Sequence, residues 1–148
     1  GWMDRVFVYG GLYRSTMRFD TGFCRGKKVI ACVTTGAPEA SCGHDGQSGD
    51  TRLILWPALL PYRYLGFDVY EPEILHGVGG TAYIEGRIDG LGSLDAYVAR
   101  WTATLETLAD RRTVPFNANG DFDDTGRLKP YAPAHSPFIR HRADAVVE

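Results

Sequence analysis

Lys27-Lys28 lead into Val29-Ile30-Ala31-Cys32-Val33, an unbroken and largely β-branched apolar run that stops abruptly at Thr34-Thr35-Gly36-Ala37-Pro38. The run has the length of a strand. Its lack of polar alternation predicts burial on both faces, as in the middle of a parallel sheet. A parallel partner requires a crossover, usually a helix. The following sequence offers one: Asp50 is a candidate N-cap, and Leu53, Trp56, Leu60 and Tyr64 recur at helical spacing. Pro57 and Pro61 predict a kink or break in that helix, because each removes a backbone donor. Gly66 closes it, and Phe67-Asp68-Val69-Tyr70 begins a second strand, ending near Pro72 or continuing through Ile74-Leu75 toward His76. Together these segments read as a βαβ unit.

The flanking segments read differently. Trp2, Val6 and Tyr9 lie on one helical face, so residues 1 to 9 are expected to be the end of a helix stopped by Gly10-Gly11, with loop to Arg25. Ser93 is a plausible N-cap for a helix whose apolar positions are Leu94, Val98, Trp101, Leu105 and Leu108. That stripe predicts packing on the sheet, with Trp56 and Trp101 as core anchors. Beyond Arg112, Pro115, Pro130, Pro133 and Pro137 with Gly120 and Gly126 predict an extended arm. The expected organisation is thus a domain over residues 1–112 and a C-terminal arm over 113–148.

Composition excludes several function classes. With 148 residues, 44% apolar and 23% charged, the chain has the make-up of a soluble globular domain. A net charge of -2 gives no electrostatic reason to expect binding to phosphate backbones, so nucleic acid is not an expected partner. Three cysteines, Cys24, Cys32 and Cys42, argue against a disulfide framework and for a reducing, cytoplasmic setting. No apolar run is long enough for a membrane span. Two parallel strands would leave edges exposed, so an open α/β sheet here needs further strands. These are expected upstream of Gly1, which makes the chain read as the later half of a fold.

Short stretches spread along almost the whole chain carry a family resemblance. They are Gly1-Trp2-Met3-Asp4-Arg5-Val6-Phe7, Lys27-Lys28 with its strand and Thr34-Thr35-Gly36, Gly49-Asp50, Leu55-Trp56-Pro57, Gly66-Phe67-Asp68-Val69 and Glu71-Pro72. The tail from Asp121-Phe122-Asp123 through Gly126-Arg127-Leu128-Lys129-Pro130 to His135-Ser136-Pro137-Phe138 resembles the end of bacterial members. In order and spacing they resemble the C-terminal part of the NAD(P)H:quinone oxidoreductases, the DT-diaphorase-like group of the flavodoxin-like fold. The resemblance implies a doubly wound parallel sheet, a bound FAD or FMN, NAD(P)H as co-substrate, a quinone-like acceptor and a homodimer. The flavin would carry the hydride chemistry, with the protein holding and tuning it.

Ligands of open α/β sheets bind outside the carboxyl ends of the strands, where Thr34, Thr35, Gly36 and Ala37 are expected. Glycine at 36 would let backbone approach a planar ring, and loop N–H groups would meet its polar edge. Taken alone, Thr-Thr-Gly is an ordinary strand-ending turn. The family's loop tyrosine and histidine correspond to Cys42 and Ser48 in an ungapped reading, and His44 lies between them. Ser48 and His44 are therefore the catalytic candidates, His44 for its near-neutral titration, although a loop histidine is more commonly just solvated. Tyr13 matches an aromatic that walls the acceptor site of the dimer, a second such tyrosine falls at Ser15, and Arg87 corresponds to an arginine near the adenine of FAD. Packing and solvation are their simpler roles.

A Cys-x5-Arg phosphatase loop is absent, Cys42-Gly43-His44 is too sparse for structural zinc, and Gly46-Gln47-Ser48-Gly49 lacks the ending of a phosphate-binding loop. Weak or no flavin binding is expected of the isolated chain, whose sequence holds no phosphate-binding loop. A flavodoxin-type electron carrier and a catalytically weakened interaction protein are the alternatives to an NAD(P)H-dependent reductase.

Overall fold

Asp50 starts the central helix: its Oδ1 accepts from the N–H of Arg52 at 2.8 Å and of Leu53 at 3.4 Å, satisfying donors that a helix N-terminus leaves open. The computed structural model describes residues 1–79, 94–136 and 138–142. Its elements in chain order are α1 (Trp2–Val6), β1 (Lys28–Val29), β2 (Cys32–Thr34), α2 (Thr51–Tyr64), β3 (Asp68–Val69), β4 (Glu73–Leu75) and α3 (Leu94–Glu106).

The expected βαβ unit is present. β2 and β4 run parallel, with Cys32 opposite Glu73, Val33 opposite Ile74 and Thr34 opposite Leu75. β1 pairs with β3. Both strands are interrupted at the same level, after Val29 and at Glu71-Pro72, and the N–H of Glu73 still donates to the Ala31 carbonyl at 2.9 Å. The second strand therefore does continue past Pro72, as a separate segment. α2 is a single helix through both prolines, so the expected break does not occur. Their spacing of four explains this in part: the donor missing at Pro61 would have served the carbonyl of Pro57, so the losses fall on one helix face.

Three further expectations fail. The apolar run is not buried on both faces: Cys32 and Thr34 are exposed while Val33 is half-buried, because β2 has only β4 as a neighbour among the described residues. α3 does not bury its apolar stripe. Leu94, Val98 and Leu105 are exposed, and Tyr97 and Thr104 are buried instead, since their hydroxyls reach His76 and Glu73. α1 ends at Val6, before Gly10, which instead sits in a turn at φ 87°. Ser93, the expected cap of α3, and Arg87 lie outside the described residues.

The chain divides into two compact units. One comprises Gly1–Lys27, Pro61–Asp68 and Val114–Glu148. It is held by edge-to-face aromatic contacts, Phe7 on Tyr62 at 5.5 Å, Tyr13 on Tyr64 at 5.3 Å and Phe19 on Tyr64 at 4.9 Å between centroids. Its tightest point is a backbone crossing. A Cβ on Gly22 would lie 2.3 Å from the Leu65 carbonyl oxygen, and Gly66 opposite it has φ 95°. The Cys24 N–H bonds the Leu65 carbonyl beside this crossing at 2.9 Å. Buried Asn117 ties the later residues in, donating to the Pro133 carbonyl at 2.8 Å and to Asp121 at 3.0 Å. Arg63 pairs with Asp20 in the same unit.

The other unit comprises Lys28–Leu60 and Val69–Thr113. It contains β2, β4, α3 and the loop from Thr34 to Asp50.

Candidate functional site

The carboxyl ends of β2 and β4 are tied together by backbone. The N–H of Thr35 donates to the Leu75 carbonyl at 3.0 Å, Val78 to Thr35 at 2.9 Å and Gly77 to Ala37 at 3.0 Å. These bonds bring two loops side by side at the end where ligands of parallel sheets bind. The N–H groups of Gly36 and Ala37 have no partner among the described residues. A Cβ on Gly36 would meet nothing within 4 Å. Among the described residues no neighbouring backbone demands glycine there, and the opening with these two donors suits a flat ligand bearing acceptors at its rim.

Thr35 organises the site from beneath. Its hydroxyl donates to the Ala37 carbonyl at 2.9 Å and lies 3.0 Å from His76 Nδ1, with Cys42 Sγ at 4.0 Å. Cys42 is buried. Its loop is closed by bonds from Ser48 N–H to the Ser41 carbonyl at 2.8 Å and from Thr51 N–H to the Cys42 carbonyl at 3.1 Å. Gly46 passes so near Ser41 that a Cβ would sit 2.4 Å from its carbonyl.

A cavity of about 330 Å³ opens beside these strand ends. Glu73, Arg100, Arg111, His76, Cys42 and His44 are among its walls. Glu73 is buried at 5% exposure, yet its carboxylate is fully engaged. It accepts from Arg100 Nε at 2.7 Å, from Thr104 Oγ1 at 3.1 Å and from Arg111 Nη2 at 3.0 Å. Burial pushes its pKa up, and the bonds from Arg100 and Thr104 with the charges of Arg100 and Arg111 outweigh this, leaving the carboxyl below its ordinary value. Arg111 also donates to the carbonyls of Glu71 at 2.6 Å and Pro72 at 2.8 Å.

Of the residues singled out from sequence, Thr34, Thr35, Gly36 and Ala37 share the strand-end loop, and Cys42 touches Thr35. His44 is a cavity wall but its side chain is 87% exposed, 3.9 Å from Asp45. Ser48 is exposed and is not one of the walls. Tyr13 and Ser15 belong to the other unit, where Tyr13 packs on Tyr9 at 5.6 Å and Ser15 Oγ lies 3.3 Å from the Tyr9 hydroxyl. Sequence reasoning missed His76, Glu73, Arg100 and Arg111. His76 was within its reach, because the strand-end rule applies to the second strand as much as to the first.

A family model described as flavodoxin-like fold matches residues 1–100. The chain belongs to this family, on its NAD(P)H:quinone oxidoreductase branch. A guinea-pig relative (Cavia porcellus) named NAD(P)H dehydrogenase [quinone] 1 is 32% identical over 124 residues, 83% of this chain and 42% of its own length. A mouse relative (Mus musculus) named ribosyldihydronicotinamide dehydrogenase [quinone] is 31% identical, over 73% of this chain and 44% of its own. A solved structure named as a candidate quinone reductase from Klebsiella pneumoniae superposes with a TM-score of 0.68 at 26% identity, covering 87% of this chain and 51% of that one. The chain thus spans about half the length of the quinone oxidoreductases that it matches. The flavodoxin-like fold accounts for the parallel β2–β4 pair with its crossover helix.

Proposed function

We propose that this chain forms part of a flavin-dependent oxidoreductase that transfers hydride from NAD(P)H to a quinone-like acceptor. The observation that carries the reading is Gly36, open and with N–H donors at 36 and 37 left without a partner among the described residues, at the carboxyl end of a parallel strand in a member of this family. Thr34 to Ala37 would hold the polar edge of an FAD or FMN ring, where donors favour the charge gathered on reduction. When bound, the flavin would supply the hydride chemistry. Cys42 would support the loop through Thr35. His44 and Ser48, the catalytic candidates from sequence, would stand at its margin, and Arg87 would meet the adenine of FAD.

Tyr13 and Ser15 would wall the acceptor pocket in a cytoplasmic homodimer. Residues 1–112 would form the flavin-binding part and 113–148 a C-terminal arm. No helix among the described residues is long and apolar enough to cross a membrane.

The product of the complete gene is the material for the test. It is expected to purify with, or take up, FAD or FMN, and to oxidise NADH or NADPH when a benzoquinone is added. Failure to take up either flavin would sink this reading in favour of an interaction protein. Flavin uptake without NAD(P)H oxidation would favour an electron carrier. Light scattering on the same sample checks the dimer.

A further inference from the structure

A threonine hydroxyl has one hydrogen to give and two lone pairs to offer. Among the described residues three groups compete for Thr35 Oγ1: the Ala37 carbonyl at 2.9 Å, His76 Nδ1 at 3.0 Å and Cys42 Sγ at 4.0 Å. A carbonyl only accepts, so the hydroxyl hydrogen goes to Ala37. Thr35 then has only lone pairs left for the other two, and each must donate to it. A bare Nδ1 would set two acceptors against one hydrogen. The proton of neutral His76 therefore sits on Nδ1, with Nε2 as its basic atom, because the bond made by one ring nitrogen fixes the state of the other.

The ring's mounting is equally constrained. The Tyr97 hydroxyl donates to the His76 carbonyl at 2.8 Å, and residues on either side of His76 are bound to the β2 loop through Thr35 and Ala37. His76 borders the cavity together with Glu73, Arg100, Arg111, Asp50, His44 and Cys42. Among the described residues His44 has no comparable mounting, its exposed ring lying 3.9 Å from the equally exposed carboxylate of Asp45.

Resting on the reductase reading above, we propose that His76 is the proton carrier of the reaction, acting through Nε2, and that Thr35 is the residue that positions it. Reduction of a quinone by NAD(P)H takes one proton from water. The hydride brings two electrons and one hydrogen to the acceptor, and the second oxygen needs a proton. Protonated on both nitrogens, His76 gives the Nε2 proton to that oxygen, returns to its neutral Nδ1–H form and takes a proton back from water. The Nδ1–H bond to Thr35 persists in both states, so proton transfer requires no rearrangement of the ring.

Two readouts test this separately. Long-range ¹H–¹⁵N spectra of the 148-residue chain are expected to show neutral His76 protonated at Nδ1 and bare at Nε2. Thr35→Ala should lose that preference and Thr35→Ser should keep it. A wild-type ring protonated at Nε2, or the Nδ1–H form retained in Thr35→Ala, overturns the mounting. In the flavin-loaded product of the complete gene, His76→Gln should retain flavin uptake and lower quinone turnover by about 100-fold, the lower end of general acid–base contributions. Undiminished turnover overturns the proton role. If the wild type takes up no flavin, the reductase reading fails, while the spectra still decide how His76 is mounted.

Discussion

Glu73 shows how a single buried charge organises the second unit. Three donors on α3 and the segment after it converge on one carboxylate, so removing the carboxylate strands Arg111 beside two carbonyls and Arg100 at the cavity wall. Glu73→Ala is expected to destabilise the chain by about 3 kcal/mol, the scale on which a buried pair suffers from loss of one partner. Urea unfolding measures it, and Glu73→Gln should lose less because it still accepts from Thr104. The pH dependence follows from the lowered pKa. A depressed folded-state value means that the stabilisation is present above the unfolded value and is lost as pH falls through the folded one. The wild type should therefore lose stability below the ordinary carboxylate range, and Glu73→Gln should show a shallower loss there. None of this could be read from the sequence, where Glu73 is one polar residue in an apolar segment and Arg100 lies 27 residues away. By contrast, the Asp50 cap was legible because its partners are two and three residues on.

At the scale of elements, glycines divide into those the backbone demands and those it does not. Gly22→Ala would force a Cβ into the Leu65 carbonyl, and Gly66 carries a left-handed backbone as well. Gly22→Ala is expected to destabilise by about 3 kcal/mol or to prevent folding, through clash and strain. Gly36→Ala should change stability by no more than about 0.5 kcal/mol while weakening flavin uptake. Thermal unfolding beside flavin titration separates the two cases. In α2, Pro57 is exposed and removes a donor to the Leu53 carbonyl. Pro57→Ala should raise stability by about 1 to 2 kcal/mol, the helical gain being partly offset by a more flexible unfolded chain; the unfolding midpoint checks it. The βαβ unit was legible because periodicity and punctuation are local signals. The orientation of α3 was not: Leu94, Val98 and Leu105 predicted its buried face, whereas Tyr97 and Thr104 set it through partners distant in sequence.

For the whole molecule, the unit containing residues 1–27 is completed by Pro61–Asp68 and the chain from Val114 onward. Such a grouping depends on long-range contacts that no periodicity reports, such as Phe7 on Tyr62 and Asn119 N–H on Asp20. All three cysteines are free, but Cys24 and Cys42 are buried and Cys32 is exposed. A thiol reagent should therefore modify one cysteine rapidly in the native chain and all three in urea, with mass spectrometry placing the first label at Cys32. Since Cys32 lies exposed on β2 opposite Glu73, its thiol is a chemical stopwatch: its labelling half-time would lengthen whenever another segment or subunit shields it. A single thiol can thus time the covering of the sheet without any added probe group.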